Sequence, residues 1–261
     1  MSYIKSYIEN LNKNNKKALS VFLTSGFPDK ENFISIAKNI LDAGADMLEL
    51  GIPFSDPLAD GPVIQASSKI ALDNGVNINT VLSYAESLAK YTNKPIILMG
   101  YANPIKKYGV KNFLNDAGSL GIKGLIVPDV PLEEYDSFFE NMNGNLDIIL
   151  LTTPTSSNER IKSIDNTSKG FVYCVSVTGI TGIKNNFDSD SIKNLERSYS
   201  IIEKNKMLIG FGISKPENVK EFIPYCDGVI VGSRIIKSFF DKDKLPDTLQ
   251  IVSKLNEACR F

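Results

Sequence analysis

Eight short apolar runs recur along the 261 residues: ALSVFLTS (18–25), DMLELG (46–51), PIILMGY (95–101), KGLIVPD (123–129), LDIILLTT (146–153), GFVYCVS (170–176), KMLIGFG (206–212) and DGVIVGS (227–233). Each is nearly continuous in hydrophobicity and rich in Leu or β-branched residues, as parallel strands buried on both faces should be. Between them the period changes to that of a helix. In ENFISIAKNILDAGA (31–45), Phe33, Ile36, Ala37, Ile40 and Leu41 form one stripe, which Gly44 ends. Residues 78–92, 111–121, 132–142, 157–168, 189–204, 215–225 and 233–241 carry similar patterns. Strand then helix, eight times, predicts an α/β chain closed into a (β/α)8 TIM barrel. An open doubly wound sheet fits less well, because no Gly-x-Gly-x-x-Gly follows the first strand. No Pro/Ser-rich linker divides the chain, so residues 1–261 are expected to form a single domain. The longest insertions, expected as long loops, follow strand 2 (52–77) and strand 6 (177–190).

The N-terminal MSYIKSYIENLNKNNKK places Tyr3, Ile4, Tyr7, Ile8 and Leu11 at helical spacing, which predicts a short amphipathic helix. It has neither the apolar run nor the small-residue cleavage site of a secretory signal. No stretch approaches the ~18 apolar residues of a membrane span. The net charge of −1 gives no electrostatic drive toward nucleic acid or a membrane surface, and neither partner is expected. The basic patch NKNNKK (12–17) reads as a solvated helix end. Three widely spaced cysteines, Cys174, Cys226 and Cys259, fit a reducing, cytoplasmic setting better than a disulfide framework. The chain has no histidine at all. Triads, His bases and His-rich zinc sites are therefore excluded, and acid–base work must fall to Asp, Glu, Tyr, Lys or Cys.

A barrel of this kind puts chemistry at the C-terminal ends of its strands. There the sequence MLELGIPFSDPLADGP (47–62) is unusual: Glu49 stands inside a buried strand, with Asp56 and Asp60 close behind. An unpaired buried carboxylate is costly, so it needs either a cationic partner or a function. Asp56 and Asp60 alone could be turn residues. Strand 3 ends in Tyr101 and Asn103, strand 4 in Asp129, and strand 6 carries Tyr173, which could also be plain core. Gly-rich loops after strands 7 and 8 offer Gly212, Gly232 and Ser233 as an anion cradle, with Gly182 joining from the strand 6 loop. The competing reading is that these glycines serve only tight turns. Phe22, Leu98, Met99, Ile126 and Val127 are expected to line the site. Two carboxylates, a phosphate cradle and an apolar lining suit paired proton transfers on a phosphorylated substrate with an apolar body.

The segment LELGIPFSDPLADGPVIQ (48–65) resembles the signature of the tryptophan synthase α-subunit family. LTSGFPD (23–29), GYANPI (100–105), VPDVPLEE (127–134), LLTTPTS (150–156), YCVSVTGITG (173–182), GFGIS (210–214) and VGS (231–233) extend the similarity over nearly the whole chain. The resemblance implies retro-aldol cleavage of indole-3-glycerol phosphate to indole and glyceraldehyde 3-phosphate, the penultimate step of L-tryptophan biosynthesis. By motif, Glu49 would be the general acid–base and Asp60 would accept from the indole N–H. Phe22, Met99, Tyr101, Tyr173, Thr181, Gly182, Gly212, Ile230, Gly232 and Ser233 would bind substrate, Thr181 and Gly182 lying on a mobile lid. It also implies a partner, a β subunit that carries pyridoxal phosphate and receives indole within an α2β2 heterotetramer. Pro53, Asp56 and Asn103 would face that partner, and this chain would need no cofactor or metal of its own. The family often has an Arg-containing segment between the strand 6 Tyr and the lid; SVTGITG stands there instead. A phosphosugar isomerase, or a regulatory subunit without catalysis, remains an alternative on the same barrel.

Overall fold

The computed structural model describes residues 2–140, 146–153, 155–175, 189–210, 212–240 and 245–261, the side chain of Ser189 excepted. All eight apolar runs are strands: β1 (Ala18–Thr24), β2 (Met47–Gly51), β3 (Ile96–Met99), β4 (Gly124–Ile126), β5 (Asp147–Thr152), β6 (Phe171–Val175), β7 (Lys206–Gly210) and β8 (Gly228–Val231). Each pairs in parallel with the next, and β8 pairs with β1 to close the barrel. The expected (β/α)8 architecture is therefore the one observed.

Helices surround it in chain order: α1 (Tyr3–Lys13), α2 (Phe33–Asp42), α3 (Pro62–Asp73), α4 (Ile78–Tyr91), α5 (Ala102–Tyr108) and α6 (Val110–Ser119). After these come α7 (Tyr135–Phe138), α8 (Asn158–Thr167), α9 (Ser189–Ile201), α10 (Pro216–Phe222), α11 (Ser233–Phe240) and α12 (Leu245–Ala258). Segment 52–77 is not wholly loop, because α3 occupies its second half. Pro62 pre-sets the first turn of α3, and its buried side is small: Ser67, Ser68 and Ala71. That weak apolar stripe is why periodicity did not reveal it. Helices α5 and α12 were likewise unforeseen. Of the helix predicted at 132–142, the described residues form a 3-10 turn (Leu132–Glu134) followed by the single turn of α7. Of the strand 6 insertion, only its end, where α9 begins, lies among the described residues.

Two apolar clusters follow from the strand period of two. Leu19, Val21 and Leu23 of β1 join the outer cluster between sheet and helices. Ala18 joins the cluster inside the barrel, together with Met47, Ile97, Ile126, Ile149, Phe171, Tyr173, Leu208 and Ile230. Helix α1 seals the floor of this interior: Ile4 and Ile8 are fully buried in it, with Tyr7 and Leu11 beside them. Gly124 makes room for the seal, since a Cβ there would stand 2.8 Å from Ile4 Cδ1. Ser2 caps α1 by accepting from Lys5 N–H at 3.0 Å.

Candidate active site

Glu49 points into the barrel and is 0% exposed. Its Oε1 accepts a hydrogen bond from Ser20 Oγ at 2.7 Å, whereas its Oε2 is buried with no partner among the described residues. The predicted alternative of a buried Lys or Arg beside it is not what these residues form. Burial raises the Glu49 carboxyl to about 7, and the Ser20 hydroxyl pulls back part of that rise. Such a group can both hold and give up a proton near neutrality.

Asp60 closes the loop ahead of α3 and is partly buried. Burial pushes its carboxyl up to about 6, with the neighbouring Tyr101 hydroxyl opposing the rise. Tyr101 is fixed from two sides. Its hydroxyl accepts from Ala59 N–H at 3.1 Å, and its ring lies 5.5 Å, centroid to centroid, from Phe54. Tyr173 is buried on β6, and its phenol is held protonated by burial, then by the charges of Glu49 and Asp60. One tyrosine thus stands within electrostatic reach of both carboxylates.

Two glycines create the space for these rings. A Cβ on Gly210 would overlap the Tyr173 hydroxyl, and one on Gly51 would sit 2.5 Å from Phe22 Cζ. Large side chains on one strand therefore lie over a missing side chain on another. The resulting pocket is lined by Phe22, Gly51, Ile52, Asp60, Ser68, Met99 and Tyr101. Ile230 lies in the barrel interior. Gly232 approaches Phe22, its added Cβ meeting Phe22 Cβ at 3.3 Å, and Ser233 opens α11. The first N–H groups of a helix have no acceptor within it, which suits an anion. Gly212 follows β7 with φ +81°, a conformation that favours glycine.

Not every expected residue belongs to this group. Leu98 and Val127 pack in the outer cluster and do not line the interior. Their neighbours Met99 and Ile126 do face inward, as period two requires. The Asp129 carboxylate accepts from Ala102 N–H at 2.9 Å and so anchors the start of α5. Pro53 is buried, while Asp56 and Asn103 are exposed. Thr181 and Gly182 lie outside the described residues. Ser20, Gly51, Gly210, Ile52 and Ser68 were missed from sequence. Counting two residues back from Phe22 would have placed Ser20 on the inner face.

A sequence profile of the family described as "Tryptophan synthase alpha chain" matches residues 8–260. The tryptophan synthase alpha chain of Thermoanaerobacter sp. (strain X514) is 42% identical, over 98% of this chain and 99% of that one. That of Prochlorococcus marinus subsp. pastoris is 41% identical, over 98% and 90%. Among solved structures, the Legionella pneumophila tryptophan synthase alpha chain superposes with a TM-score of 0.89 at 33% identity, covering 99% of this chain and 97% of the other. Tryptophan synthase from M. tuberculosis in its aminoacrylate-bound form gives 0.86 at 28% identity, covering all of both chains.

Proposed function

The chain belongs to the tryptophan synthase alpha chain family, and from that premise we propose that it cleaves indole-3-glycerol phosphate to indole and glyceraldehyde 3-phosphate. It is a lyase of tryptophan biosynthesis, and the indole passes to a β subunit. The observation that carries the residue-level reading is Glu49: fully buried, with no partner for Oε2 among the described residues, and poised near neutrality beside Phe22, which lines the pocket.

In this reading protonated Glu49 gives its Oε2 proton to indole C3. The ring becomes an indolenine, whose bond from C3 to the glycerol chain can break. The carboxylate then takes the proton of the glycerol hydroxyl as that oxygen becomes a carbonyl, so Glu49 ends as it began. Asp60 accepts a hydrogen bond from the indole N–H and stabilises the positive charge that develops there. Phe22, Met99, Tyr101, Tyr173 and Ile230 hold the indole body. Gly212, Gly232 and Ser233 take the phosphate through backbone N–H groups and the start of α11. Thr181 and Gly182 cover the substrate from the strand 6 loop.

The finer assignments are part of the same proposal. The chain works as one domain over residues 1–261; the β1–β8 pairing and the Lys17 N–H to Cys259 O bond at 2.8 Å tie its two ends together. It uses no cofactor of its own, and pyridoxal phosphate resides in the β subunit of an α2β2 heterotetramer. Pro53, Asp56 and Asn103, on segments next to the pocket, face that subunit. The cytoplasm is the setting, and among the described residues no helix is long and apolar enough to cross a membrane.

Indole release from indole-3-glycerol phosphate tests this, with wild type and Glu49→Gln each assayed with and without a β subunit. Weak release alone, a large rise with the partner and loss in the variant are expected. A folded protein that binds glycerol phosphate yet releases no indole in any mixture would overturn the reading.

A further inference from the structure

Among the described residues, Glu49 is held by one oxygen only, and the group that holds it comes from the neighbouring strand. Ser20 on β1 and Glu49 on β2 are both 0% exposed, and Ser20 Oγ donates to Oε1 at 2.7 Å. Their neighbours across the sheet are apolar: Met47 and Ile230 flank Ser20, and Phe22 and Ile97 flank Glu49. The titratable group facing Glu49 from elsewhere is Tyr173 on β6, which also feels Asp60 from the loop ahead of α3. A serine hydroxyl has one proton to give. While that proton is given to Oε1, the mobile proton of the carboxyl rides on Oε2. A proton on Oε1 would turn Ser20 into an acceptor and strand its own O–H in an apolar interior. Oε2 has no partner among the described residues, so it is free to turn to a substrate.

We propose that Ser20 is a positioning residue for the acid–base step: by holding Oε1 it fixes the carboxyl plane and leaves Oε2 as the oxygen that gives and takes the proton. This rests on the role of Glu49 proposed above. The hydroxyl also favours the ionised carboxylate, so it keeps the Glu49 ionisation lower than burial alone would leave it. Ser20→Ala removes only an oxygen atom and leaves the strand intact, whereas Ser20→Thr keeps the donor.

The test compares wild type, Ser20→Ala, Ser20→Thr and Glu49→Gln in the complex with a β subunit. It measures kcat and KM against pH, together with a 13C carboxyl titration in which Glu49 is identified by its disappearance in Glu49→Gln. For Ser20→Ala we expect kcat to fall about tenfold, the size of one hydrogen bond to a charged group, with KM little changed. The Glu49 titration moves to higher pH, and Ser20→Thr restores both kcat and titration. Wild-type kcat and an unmoved titration in Ser20→Ala would overturn the proposal. So would equal changes in kcat and KM with an unmoved titration, which is the signature of repacking. Full activity in Glu49→Gln would instead sink the role of Glu49 itself, and is read separately.

Discussion

Three buried carboxylates at the floor of the barrel are held differently from two toward its other end, whereas a fourth at the floor, Asp147, is like the latter pair in that burial raises its carboxyl despite a hydrogen bond from Ser2 Oγ. At the floor, Asp46 accepts from Lys16 Nζ at 2.5 Å and from Leu19 N–H at 2.9 Å. Asp165 accepts from the N–H groups of Glu203, Lys204 and Asn205 at 2.8–2.9 Å. Asp227 accepts from Met207 N–H at 3.0 Å and from Asn12 Nδ2 at 2.9 Å. Toward the other end, fully buried Glu49 has one hydroxyl, and Asp60 has a tyrosine hydroxyl beside it. Saturated carboxylates clamp strands and loops together. Under-saturated ones keep their desolvation penalty, and that penalty raises the pH at which they ionise. On the proposed mechanism, the difference separates Asp46, Asp165 and Asp227, which serve the fold, from Glu49 and Asp60, which serve the reaction.

Glu49→Gln should have the largest effect, a fall in kcat of about a thousandfold with the fold retained, within the range of general acid–base groups. A variant with near wild-type indole release would break the comparison at its centre.

Stability against pH sharpens it next. The raised Glu49 carboxyl binds its proton more tightly folded than unfolded, from an ordinary value of 4.5 to about 7. Its contribution is therefore fully present below the unfolded value and is lost as pH rises through the folded one. Urea titrations should show about 3 kcal/mol lost to this group between pH 4.5 and 8. Asp60 adds a smaller loss in the same direction as pH rises from 3.8 through about 6. The Glu49 share should vanish in Glu49→Gln; an unchanged slope would show that the carboxyl is solvated after all.

At the floor, Asp165→Ala strands three backbone donors and should cost roughly 2–3 kcal/mol in urea unfolding. Indole formation per folded molecule should keep its pH profile. A displaced profile would mean that the two ends are not separate.

The smallest effect expected is at Gly210→Ala, where the new methyl collides with Tyr173. Overpacking of this kind costs about 1–2 kcal/mol of stability and should raise KM through the displaced ring. Unchanged KM would remove Tyr173 from the substrate wall.

The sequence alone determined the barrel, because eight doubly buried strands need continuous apolar runs and the intervening helices need a stripe. It also exposed Glu49, since a charge in such a run contradicts the burial around it. Helix α3 was not legible: its buried face is Ser67, Ser68 and Ala71, too small and polar to register as a stripe. Nor was the inner lining, where reading every apolar residue near a strand end as a wall placed Leu98 and Val127 on the wrong face. Only the closed sheet decided which alternate residues point inward, and it set Ser20 beside Glu49 although 29 positions separate them. The matching of Tyr173 with Gly210, and of Phe22 with Gly51, likewise depends on inter-strand register. The sequence can supply a large side chain and an absent one, but strand pairing decides that they meet.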